Sequence, residues 1–91
     1  MAFNVEQAKE VLRLDNDYND EIILSLVQAI PSYIEATTGL TPEEQVDEPL
    51  VDTISGFIIT LWYNPEGTDA QQLTRTIDSL LKTLSVIKKK V

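Results

Sequence analysis

The stretch "DEIILSLVQAIPSYIEATTG", residues 20–39, decides the fold. Ile22, Ile23, Leu26, Val27, Ile30, Tyr33 and Ile34 recur at helical spacing, which is the pattern of a helix that buries one face. Asn19 stands where a cap is expected, and Asp20 and Glu21 suit the positive end of the helix dipole. Gly39 supplies the stop. The pattern predicts one helix over residues 20–38. Pro31 lies inside it, where a proline removes the hydrogen bond to the Val27 carbonyl and costs about 3 kcal/mol. The apolar stripe continues on both sides of Pro31, so a kink is expected rather than a break. So long a stripe needs other helices to cover it.

The neighbouring segments supply them. Asn4 precedes "VEQAKEVL" and predicts a helix over 5–12, with Gln7 placed for a capping box and Phe3 for a hydrophobic staple to Ala8. "LTPEEQVDEP", residues 40–49, reads as a polar connection. A third helix is expected over 49–63, started by Pro49 with Asp47 or Glu48 as its cap. Leu50, Ile54, Phe57, Ile58, Leu61 and Trp62 give it a broad buried face. Trp62 is expected in the core against the second helix. Gly56 in the middle weakens that helix by about 1 kcal/mol and points to close packing against a neighbour. "NPEGTD", residues 64–69, ends it. In the last stretch Leu73, Ile77, Leu80, Leu84, Ile87 and Val91 are spaced by four and three. The run is too short for a coiled coil and reads as one core-facing stripe. The expected fold is all-α: a small four-helix domain with a long kinked second helix. Residues 1–91 form a single domain, with 86–91 as a basic tail.

Composition narrows the chemistry. The 91 residues contain no cysteine and no histidine. This excludes disulfides and zinc–thiolate sites and removes the commonest general base. No secretory segment is read at the start, and no apolar run approaches the ~20 residues of a membrane span. A soluble intracellular protein is expected. The net charge of −8 is unevenly placed. Residues 1–68 carry 13 acidic side chains against Lys9 and Arg13, a balance of −11. Residues 69–91 carry Asp69 and Asp78 against Arg75, Lys82 and Lys88–Lys90, a balance of +3. That asymmetry reads either as a solvated acidic surface with a frayed basic end or as charged ends meeting charged partners. A basic nucleic-acid face is not expected over most of the chain.

"LDNDYNDE", residues 14–21, raises the question of a metal. Asp15, Asp17 and Asn19 fit the first, third and fifth positions of a calcium loop. The sixth position needs a sharp turn and holds Asp20, and the twelfth needs a bidentate Glu and holds Leu26. The stretch reads instead as short polar side chains that leave one helix and cap the next. No metal and no cofactor is predicted. The serines have no histidine to activate them, and three glycines form no phosphate loop. The chain is read as a non-enzyme.

The order of these motifs resembles that of the phage head–tail connector family. Its members open with a helix ending in Leu-Arg-Leu/Ile-Asp, matched here by Leu12, Arg13, Leu14 and Asp15. An acidic turn follows, then a long helix ending in Tyr-Ile-Glu and Thr-Gly, matched by Tyr33, Ile34, Glu35, Thr38 and Gly39. An apolar helix then closes in Trp62 and Tyr63, and a last helix carries Ile77, Leu80 and Leu81. Pro31 and "NPEG" at 64–67 depart from the family pattern. The resemblance implies a structural protein of the virion, at the head–tail junction, assembled in the host cytoplasm. Its partners are then the portal protein, other copies of itself in a ring, and the next head-completion or tail protein. DNA passes through the ring without specific binding, and no membrane is involved. An acidic wall suits such a channel because it does not grip a passing polyanion. In this reading Lys88, Lys89, Lys90 and Val91 form a tail that binds the portal. Two other classes compete with it. One is a small acidic binding module, a DNA mimic or regulator. The other is a plain helical dimer held by the C-terminal stripe.

Overall fold

The computed structural model describes residues 3–67 and 69–90, with Lys89 and Lys90 described through their backbone only. Among these residues all regular structure is helical: α1 (Val5–Leu12), α2 (Asp20–Thr38), α3 (Pro42–Val46), α4 (Pro49–Tyr63) and α5 (Ala70–Lys90). The four expected helices are present, and α3 is a fifth, short one inside the connection read as polar coil.

Local chemistry explains most of the boundaries. The Asn4 side chain accepts from the Gln7 N–H at 2.9 Å, and the Asn4 N–H donates to the Gln7 side chain at 3.0 Å. That is the reciprocal capping box. Arg13 closes α1 in the left-handed region at φ 60°, its N–H bonded to Glu10 and Lys9 carbonyls. Gly39 closes α2 at φ 84°, its N–H bonded to the Glu35 carbonyl. Glu48, the second of the two expected caps, accepts from the Leu50 N–H at the start of α4.

α3 is explained by a cap and by one buried side chain. Thr41 and Glu44 form a second capping box, and Pro42 sits in the first turn. Gln45 is 6% exposed. Its amide donates to the Pro31 carbonyl at 3.0 Å and to the Leu40 carbonyl at 2.9 Å. The connection therefore folds back on the middle of α2. α2 itself runs unbroken through Pro31.

α4 is apolar on nearly every side, and a helix of that kind belongs at the centre. It packs against α1, α2, α3 and α5. Ile54, Ile58 and Ile59 of α4 meet Ile23, Ile30 and Ile34 of α2 and Ile77, Leu81 and Leu84 of α5 in one core. Of the C-terminal stripe, Ile77 and Leu84 are buried in this core and Leu80 and Ile87 pack against it, while Val91 lies outside the described residues. α1 and α5 both pack on α4 but not on each other. Gly56 of α4 lies under α1, where a Cβ would sit 3.6 Å from a Val11 methyl, an ordinary contact. The approach of α1 therefore does not require the missing side chain.

Candidate interaction surface

One end of the molecule gathers the motifs that the sequence keeps apart. The turn between α1 and α2 is held on both sides. Lys9 of α1 pairs with Asp20 at 3.0 Å. The Asn19 side-chain amide donates to the Tyr63 hydroxyl at 2.6 Å. Within the turn, the Asn16 side chain accepts from the Tyr18 N–H at 3.0 Å, an Asx turn that fixes the backbone locally. Asn19 therefore does not cap α2 with its side chain, as the sequence had suggested. Its amide instead meets a phenol brought in from α4. Aspartates 15 and 17 stay exposed. Among the described residues no three carboxylates converge as metal ligands.

Beside the turn lies an open groove walled by Val11, Ile22, Leu26, Trp62 and Tyr63, with Arg13 at its edge. Trp62 is half-buried rather than fully in the core. Its ring meets Tyr33 of α2 edge to face, 5.4 Å between centroids at 75°. Trp62 also lines the groove. Of its walls, Ile22 is 57% exposed and Val11 45%. Apolar surface concentrated at one place is the usual mark of a contact site, whereas scattered single residues are not.

The C-terminal residues lie at the opposite end. Lys88 reaches both carboxylate oxygens of Glu44 at 2.7 Å. Glu44 also accepts from the Thr41 N–H and hydroxyl. The Lys88 hydrogen bond, and after it the Thr41 backbone bond, hold the Glu44 carboxyl below its ordinary 4.5. Lys88, expected to face a partner, is engaged within the chain in the isolated subunit. Lys89 and Lys90 continue α5, but their side chains, and Val91 altogether, lie outside the described residues.

A second cavity, of about 210 Å³ beside Pro31, is walled by Phe3, Val27, Ile30 and Val51 and is mostly apolar. No described helix is long and apolar enough to cross a membrane. The groove escaped sequence reasoning because Val11 and Ile22 count as ordinary members of their stripes. No family model, curated protein or solved structure matches the chain.

Proposed function

We propose that the chain is a structural subunit of a phage head–tail connector. Copies form a ring beneath the portal, extend the DNA channel and offer a docking surface to the next head-completion or tail protein. The observation that carries this reading is the order of the motifs from Leu12 to Leu81, which follows the connector pattern across nearly the whole chain. The fold adds a physical motive for that order. Tyr33 of one motif packs on Trp62 of another, and Tyr63 takes its hydrogen bond from the acidic turn. The acidic balance of residues 1–68 suits a channel wall that repels DNA.

The test is to mix the purified chain with portal-bearing capsids that lack their connector. Ring-shaped density at the portal vertex, seen by electron microscopy, is the expected result. A chain that ignores the portal but competes with DNA for a DNA-binding protein is the acidic mimic instead.

A further inference from the structure

We propose that the cavity beside Pro31, between α2, α3 and α4, binds a small organic cation: a primary ammonium on an apolar body of roughly eight heavy atoms. This binding does not depend on the connector reading.

The size of the occupant follows from the space. The cavity measures about 210 Å³. An apolar cavity of about 150 Å³ is known to hold a benzene molecule, so one ring with a short polar arm fits here. The walls match such a body. Val27 and Ile30 of α2 and Val51 of α4 make the lining mostly apolar.

The chemistry of the polar arm follows from three side chains in the same lining: Gln45 of α3, and Asp52 and Ser55 of α4. Asp52 and Ser55 are three positions apart, so they share one face of α4. Gln45 gives its amide N–H groups to the Pro31 and Leu40 carbonyls, and its oxygen is left over. Among the described residues nothing hydrogen-bonds to that oxygen, to the Ser55 hydroxyl or to the Asp52 carboxylate. Yet Ser55 is 1% exposed and Gln45 6%. Polar groups buried so far are normally partnered, and those that are not call for an explanation. What little of Ser55 and Gln45 is reachable opens on the cavity that they line. The three side chains offer oxygen acceptors and, apart from the Ser55 hydroxyl, no spare donor. An ammonium is the complement, because it carries three N–H donors and accepts nothing. Charge points the same way. Asp52 is the one charged residue in the described lining. Outside it, α3 and its exit carry Glu43, Asp47 and Glu48, which raise the local concentration of cations. The apolar walls favour an ammonium with a hydrocarbon body over a bare inorganic cation.

The test titrates benzylamine into the isotopically labelled full chain. The methyl signals of Val27, Ile30 and Val51 and the amide signal of Ser55 should move and reach saturation. Benzyl alcohol has the same ring and no charge, and it should bind at least roughly tenfold more weakly, as loss of a charged hydrogen bond predicts. Asp52→Asn should weaken benzylamine binding by roughly tenfold and leave benzyl alcohol within about twofold. Glu43→Gln removes the same charge from the exposed side of α3, and it should change benzylamine binding by less than about twofold. Circular dichroism checks that both variants remain folded, and the comparison of the two ligands needs no variant at all. Shifts that do not saturate, or that spread over the acidic surface, overturn the proposal. So does benzyl alcohol that binds as tightly as benzylamine, which makes the site an apolar cavity only. A benzylamine affinity that Asp52→Asn leaves unchanged, or that Glu43→Gln lowers equally, overturns it as well.

Discussion

Asn19 sits at the start of α2, where its side chain suits a cap, and yet it reaches Tyr63 forty-four positions away. A short, partly buried bond of this kind is worth more to the turn than a solvated cap, because it ties α2 to α4 directly. Tyr63→Phe keeps the ring and deletes the acceptor, leaving the amide without that partner. The expected cost is about 1 kcal/mol, which in a domain this small lowers Tm by roughly 4–8 °C. Thermal unfolding followed by circular dichroism measures it, and an unchanged Tm means the bond adds nothing.

Two helices carry residues that their own propensities disfavour. Gly56 lies in α4 beneath Val11, and a methyl group there meets only ordinary contacts. Gly56→Ala should therefore recover helix propensity, up to about 1 kcal/mol. Denaturant unfolding should show a higher midpoint with an unchanged slope; a lower midpoint would mean that α1 cannot accommodate the methyl. Pro31 interrupts the hydrogen-bond ladder of α2 while its carbonyl receives Gln45. Pro31→Ala restores an N–H donor and leaves that carbonyl in place. The isolated subunit should be at least as stable as the wild type in urea. If the proline shapes the contact between subunits, ring assembly should fall while folding does not. Equal assembly by both forms would remove any functional role for Pro31.

At the scale of the molecule, the Glu44–Lys88 pair joins α3 to the last turn of α5 and holds the α5 end against the end of α2. The folded state keeps the Glu44 carboxyl below its ordinary 4.5, through Lys88 first and the Thr41 N–H second. A carboxyl depressed by folding stabilises the protein above its unfolded value and loses that stabilisation as pH falls through the folded one. Glu44→Gln should thus be less stable than the wild type at neutral pH. The two should converge in acid, as the wild-type carboxyl takes up its proton below 4.5. Urea unfolding across that range tests this, and a constant gap between the two curves would contradict it. Amide exchange should also quicken over residues 84–90 in the variant, because the end of α5 loses its tie to α3.

Helix type and most helix ends were determined by the sequence alone. Apolar spacing, the Asn4–Gln7 box, Gly39 and Pro49 act within a turn or two, so their meaning does not depend on distant residues. The same locality hid the rest. α3 exists partly because Gln45 finds carbonyls on α2 and at Leu40. Asn19 leaves its cap because Tyr63 arrives, and Lys88 turns to Glu44 because it lies across from it. Trp62 shares a stripe with fully buried residues but is only partly buried, because stripe membership says which way a residue points and not how completely its neighbours cover it. The groove belongs wholly to this second kind. It is the space that α1, α2 and α4 leave open, and a gap between elements depends on how they pack rather than on any one stretch of chain.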